Sequence, residues 1–305
     1  MENSTRISKY LAPELLAAIS NLTVRTRNLS EGTIEGRHKS PYKGFNVEFS
    51  SYRQYAKGDP VKDIDWKVYA RSDKLYIKEH EQETNLNGYI ILDSSASMNY
   101  KGDKSSMSKY DYAATLAASF AYLILKQQDS LGLAIFSDQV QSILPSRGGM
   151  QHLKTVCNHL EQARLAGKTD IASAIDTAAR AMRKRGLFII ISDLMDNAEA
   201  TMEKLRQLKT AKHEVVLYQV LDSDELFFPF DQPAIFRDME TNSEVTVDAF
   251  LLKNEYRKKI ETMISAFRNA SRKTGIDYIL TDTSNPPIKA VKSFFTGHSQ
   301  TGRSR

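Results

Sequence analysis

From residue 85 to 292 the sequence predicts an α/β domain built on a mostly parallel sheet with helices on both faces. Three observations carry this. Short, nearly continuous apolar runs such as "GYIILD" and "LFIIISD" suit strands covered on both sides. Segments with helical spacing alternate with them, as in "SKYDYAATLAASFAYLILKQQ". Two of the apolar strands also end in an aspartate, Asp93 and Asp193, where open α/β sheets keep their ligand crevice.

Taken in order, residues 1–30 form an N-terminal helical segment, with apolar positions at helical intervals through "YLAPELLAAISNLTVRTRN". Residues 31–84 are rich in Gly, Ser and Tyr with short alternating runs, which predicts a small β-rich subdomain. Within it, 64–81 reads as a strand, a turn at Ser72-Asp73 and a second strand, with Trp66 as a core anchor between Ile64 and Val68. The strand ending at Asp93 opens the larger domain. A strongly apolar helix (108–128) follows, then two strands joined at Ser137-Asp138, the second alternating like an edge strand. Helices at about 148–164 and from Ile171, a buried strand at 187–193, a helix at about 197–211 and the strand "EVVLYQVLD" come next. An irregular stretch holding Phe227, Phe228 and Phe230 leads into the hairpin "AIFRDMETNSEVTVDA". A long helix, the strand "IDYILTD" and a short helix at about 286–295 complete the domain, and 293–305 reads as a disordered polar tail.

The composition narrows the function. In 305 residues, 42 Lys and Arg stand against 37 Asp and Glu, a mild excess of +5. The excess within 251–305 lies on a helical pattern and reads as a solvated face, so no nucleic-acid partner is expected. The one cysteine, Cys157, excludes an intramolecular disulfide and sits among Leu153, Val156 and Leu160 as a small buried residue. No stretch is apolar enough to span a membrane and the N-terminus lacks an apolar signal core, so no stable membrane insertion and a cytoplasmic location are expected.

The chemistry concentrates after the first buried strand. Asp93 is followed at alternate positions by Ser95 and Ser97, and the loop "GKTD" places Thr169 just before a helix. Alone, the serines are also what a strand end or a helix cap would carry. With Asp193 at the end of the second strand, the set becomes three hydroxyls and two carboxylates. Those are oxygen ligands suited to a hard octahedral cation, Mg²⁺ or else Mn²⁺, with room left for an outside carboxylate. Ser94 then points elsewhere in the turn.

"DSSASM", "GKTD" and "ISDLMD" together resemble the metal-ion-dependent adhesion site of von Willebrand factor A domains, with Asp93, Ser95, Ser97, Thr169 and Asp193 at its five positions. The upstream stretch from "EGRHKSPYKGF" to "LYIKEHEQE" is similar to the signature of a bacterial and archaeal group catalogued as domain of unknown function 58. The likeness runs from about residue 30 to 250 and is most specific through 36–97. It implies a von Willebrand factor A-like fold at 85–292. It also implies a chaperone-like, non-enzymatic adaptor of a MoxR-type AAA+ ATPase, acting in assembly or maturation of other proteins.

Other readings are weaker. A dehalogenase-type phosphatase needs an acid where Ser95 stands, and no Gly-x-Ser-x-Gly elbow exists. Position 162, where a P-loop glycine would precede "GKT", is Gln162. A metal-dependent hydrolase such as a phosphoesterase, recruiting Asp170 or Asp196, remains the alternative. Asp59, Asp63 and Asp65 interleave with Arg53, Lys57, Lys62, Lys67 and Arg71 and read as a salt-bridged surface. "GRHKS" reads as a basic turn, and His152 and His159 as surface or packing residues.

Overall fold

The computed structural model describes residues 8–24, 47–56, 64–72, 74–82, 86–182, 184–239 and 243–300. The chain divides into two units, one of residues 27–85 and one combining 1–26 with 86–305. Helix α1 (Pro13–Ile19) belongs to the larger unit. Gln127 anchors the segment after it, accepting from the Val24 N–H at 2.7 Å and donating to the Val24 carbonyl at 3.0 Å.

In the smaller unit β1 (Val47–Gln54) pairs antiparallel with β2 (Tyr76–Gln82), with a bulge between Phe49 and Ser51. Between them the expected strand at 64–72 is instead a helix, α2 (Trp66–Ser72). The cause is Asp65, whose carboxylate accepts the backbone N–H groups of Lys67 (2.9 Å) and Val68 (3.3 Å) and so starts a helix. Helical spacing then sets Trp66 edge-on to Tyr69, and Trp66 is 56% exposed, so it is no core anchor. Asp59, Asp63 and the "GRHKS" turn lie outside the described residues.

The larger unit continues with β3 (Asn87–Asp93), α3 (Lys109–Lys126), β4 (Ser130–Phe136), β5 (Val140–Gly148), α4 (Met150–Gln162), α5 (Ile171–Ala181), β6 (Leu187–Ser192), α6 (Ala198–Thr210) and β7 (Glu214–Leu221). Then come α7 (Ser223–Phe227), β8 (Pro233–Arg237), β9 (Glu244–Asp248), α8 (Ala249–Thr274), β10 (Asp277–Asp282) and α9 (Pro287–Gln300). The last helix therefore runs past 295 and takes in part of the expected tail, because Gly297 does not interrupt its backbone ladder. The aromatic stretch expected to be irregular begins inside α7, which Asp222 and Glu225 start with a reciprocal capping box.

Six strands form one sheet in the order β10-β7-β6-β3-β4-β5, all parallel except β5, which runs antiparallel to β4. Along β5 the register slips between Leu131–Arg147 and Leu133–Leu144, so Pro145 and Ser146 face Gly132 in a bulge. The apolar runs are explained by burial on both faces. Tyr89 and Ile91 pack with Ile175, Phe188 and Leu205 on one side, while Ile90 and Leu92 point to the other. There α3 lies, buried along nearly its whole length. Each such side chain contributes about 1.5–3 kcal/mol of burial free energy.

From β3 the chain steps to β4 on one side and later returns to set β6 on the other. The strand order thus reverses between β3 and β6, and the ligand crevice of such a sheet opens there.

The connection from β3 to α3 is held down by Asp222. Its carboxylate Oδ2 accepts the N–H of Gly102 (3.1 Å) and the hydroxyls of Ser105 (2.6 Å) and Thr283 (2.7 Å). A Cβ on Gly102 would collide with the Asp222 and Asp224 carboxylates. Gly102→Ala is therefore expected to cost about 1–3 kcal/mol by overpacking, seen as a lower Tm, while Lys101→Ala on the exposed neighbour leaves Tm unchanged.

Candidate functional site

At the C-terminal ends of β3 and β6, Asp93 and Asp193 are both fully buried. Asp93 Oδ1 accepts the Ser95 N–H (2.8 Å) and Oδ2 the Ser192 hydroxyl (2.6 Å). The turn after β3 is short and tight, since the Met98 and Tyr100 N–H groups bond back to the Ser95 and Ser97 carbonyls. It sets the Ser95 and Ser97 hydroxyls 3.0 Å apart, and Ser97 donates to Asp193 Oδ2 at 2.8 Å. Ser94 turns away, its hydroxyl bonded to the Phe136 carbonyl. Four of the five expected residues thus share one continuous set of hydrogen bonds.

Thr169 arrives on a different element. The loop before α5 is pinned to the serine turn, Gly167 O accepting the Ala96 N–H and Ala166 N–H donating to Ser94 O. Thr169 follows two residues later and is half-buried. Asp170, its neighbour, caps α5 by accepting the Ser173 N–H at 2.9 Å.

Two charged residues complete the site and neither was expected. The Lys109 ammonium, wholly buried at the start of α3, donates to Asp193 Oδ2 at 2.8 Å and to Glu225 Oε1 at 2.6 Å. Burial works against its charge, but the two carboxylates outweigh that and raise its pKa. Glu225 is also raised, by its own burial, although Lys109 opposes the shift. The Asp93 carboxyl is pushed up to about 7, first by burial and then by the charge of Asp193. Glu225 had a readable signal, since "DSDE" has the spacing of a capping box; Lys109 had none, because a lysine at a helix start is ordinarily solvated.

With all three carboxyls ionised, one ammonium leaves two negative charges uncompensated, the charge of one divalent cation. Among the described residues no group of three or more His, Cys, Asp or Glu side chains could hold a metal ion. A cation here would therefore lean on the hydroxyls, and the Ser95 and Ser97 hydroxyls beside two carboxylates are oxygen donors of the kind Mg²⁺ takes. His152 and His159 are engaged elsewhere, with the Leu131 carbonyl and the Ser142 hydroxyl.

Residues 51–270 match the family described as "Protein of unknown function DUF58". An uncharacterized protein of Mycobacterium tuberculosis, Rv1480, is 29% identical over 245 residues, spanning 78% of this chain and 76% of that protein. Among solved structures, an aerotolerance-related membrane protein from Bacteroides fragilis has a TM-score of 0.48 at 18% identity, covering 68% of this chain and 97% of that one. The von Willebrand factor A domain of SpRpn10 has a TM-score of 0.41 at 11% identity, covering 67% and 92%. The cytoplasmic location expected from the sequence is corrected: it is not upheld, and the Bacteroides fragilis protein among the similar structures is itself described as a membrane protein. That expectation rested on apolar stretches missing from the chain, and a water-facing folded unit can belong to a membrane protein. Among the described residues no helix is long and apolar enough to cross a membrane.

Lys109→Met is expected to destabilise the protein by about 3–5 kcal/mol in denaturant unfolding, because it strands Asp193 and Glu225 as buried charges. The raised Asp93 carboxyl binds its proton more tightly in the folded state than in the unfolded one. In EDTA, its contribution to stability is thus present at low pH and lost as pH rises toward 7. Between pH 5 and 7, Asp93→Asn should flatten this part of the Tm profile; an unchanged slope would show that another group sets it. The Ser192 hydroxyl can turn to accept from the new amide.

Proposed function

The chain is a member of the DUF58 family, and we propose that its larger unit is a protein-interaction module whose contact point is a divalent-cation site between β3 and β6. The observation that carries this is the row of oxygens from Ser95 through Ser97 to Asp193, with two negative charges in excess of what Lys109 neutralises. Ser95, Ser97 and Thr169 would offer hydroxyls, and Asp93 and Asp193 carboxylates, directly or through water. A bound Mg²⁺ or Mn²⁺ would supply an incompletely neutralised positive centre that takes an anionic oxygen from a partner. The residues of this chain orient the hydroxyls and keep the carboxylates dry.

This reading prefers binding to hydrolysis because, of the two spare carboxylates Asp170 and Asp196, the one beside Thr169 caps α5. The family resemblance supplies the partner in this reading, a MoxR-type AAA+ ATPase, with the module acting as its adaptor in assembly or maturation of other proteins.

Millimolar Mg²⁺ should raise Tm by mass action, and more at pH 8 than at pH 6, since protons compete for Asp93. Ser95→Ala combined with Ser97→Ala should fold, lose that rise and lose Mg²⁺-dependent capture of the purified ATPase. Superimposable melting curves in EDTA and Mg²⁺ would refute the cation site. Phosphatase turnover that requires Mg²⁺ and disappears in Asp93→Ala would replace the adaptor with a hydrolase.

A further inference from the structure

Beside the candidate cation site lies a groove of about 640 Å³ whose wall includes Ser97 and Met195. Its far side is aromatic. Phe228 stacks on Phe236, with centroids 5.5 Å apart, and lies 4.6 Å from the Tyr256 ring; Phe230 meets Phe236 edge-on at 5.4 Å. Ile235, on the hairpin strand β8, is 65% exposed at the groove and Met195 39%. Large apolar side chains held at an open groove mark a place where another surface is covered.

We propose that this groove is a subsite for a bulky apolar side chain of the protein partner, presented next to the acidic residue that reaches the cation. This deepens the reading above and rests on it for the acid, while the apolar anchor stands on the groove alone. The acids on the groove floor do not ask for a basic occupant, because they are already satisfied. Asp224 accepts the Tyr100 hydroxyl at 3.1 Å, and Glu225 holds Lys109 and the Asp222 N–H. Most of what the groove leaves for a partner is ring and methyl surface, Arg237 and Asp238 being the other charged residues of its lining.

Continuity with the cation site identifies which partner segment this is. Ser97 belongs to both, and Asp193, Lys109 and Glu225 form one run of contacts from the crevice to the groove floor. Phe228 (φ 45°) ends α7 in the left-handed conformation, its N–H returning to the Asp224 carbonyl, and so stands where the helix gives way to the groove wall. A second groove, beside β5 and the end of α4, lacks this character: its polar groups close on one another, Gln141 with Arg164 and Ser142 with His159.

The test uses the full chain on an array of synthetic peptides that vary two adjacent positions, one across Phe, Leu, Ala and Lys and the next across Asp, Asn and Lys. With Mg²⁺ present, Phe-Asp and Leu-Asp peptides should be retained, and Ala in place of the apolar residue should weaken binding about tenfold or more. Ile235→Asp, on an exposed strand position, should abolish the apolar preference while keeping the Mg²⁺-dependent rise in Tm. The Ser95→Ala, Ser97→Ala double variant should lose the preference for Asp and keep that for Phe. An EDTA-sensitive preference for Asp with no apolar preference, or one untouched by Ile235→Asp, overturns the groove and leaves the cation site standing. An apolar preference lost in Ile235→Asp but indifferent to Mg²⁺ and Asp supports the groove and refutes the cation site. A dimer that Ile235→Asp dissociates would assign the groove to a second copy of the chain and overturn the proposal, as would an array with no preference at all.

Discussion

A single buried ammonium, Lys109, is what allows the strand-end carboxylate Asp193 to sit out of water at the centre of this protein, with Glu225 as its second partner. Burying an ion costs several kcal/mol, and only close, well-aligned partners offset it. Lys109 has them in Asp193 and Glu225. These three residues come from the start of α3, the end of β6 and the first turn of α7, so one charge ties together three elements remote in sequence. The helix that fills one face of the sheet is thereby registered against the crevice at the C-terminal ends of the strands.

The two aspartates are not equivalent. Asp193 faces a cation of the protein's own, whereas Asp93 receives only the Ser192 and Ser95 hydroxyls and the Ser95 N–H. The uncompensated charge therefore gathers on the Asp93 side, beside the Ser95–Ser97 pair, and the carboxyl there is the one driven upward. An electrostatic asymmetry of this kind suits a site that takes up a cation reversibly: it is stable when protonated and most receptive when ionised.

The sheet was legible in the sequence because strands covered on both faces must be apolar at every position, as "YIILD" and "LFIIISD" are. Asp93, Ser95, Ser97 and Asp193 were legible for a related reason, since polar residues that follow such strands directly can only lie at the rim. Lys109 was not, because nothing local distinguishes a helix-starting lysine that is buried from one that is solvated; only the fold brings Glu225 to it. Trp66 failed differently. Its alternating neighbours suggested a strand, but the Asp65 cap imposed a period of 3.6, and Trp66 then faced water while Ile64 stayed buried. The aromatic groove was visible only as a cluster of phenylalanines, because its walls come from α7, β8 and α8, joined by tertiary packing.

The antiparallel edge strand β5 has its own consequence. Pro145 lacks an N–H to donate, the bulge at Pro145 and Ser146 bends the ladder, and Arg147 places a charge close by. Such an edge resists the addition of a further strand from another molecule. With that route blunted at the β5 edge, the side chains at the strand ends stand out as the polar surface nearby, selective for chemistry in a way that a bare backbone edge is not.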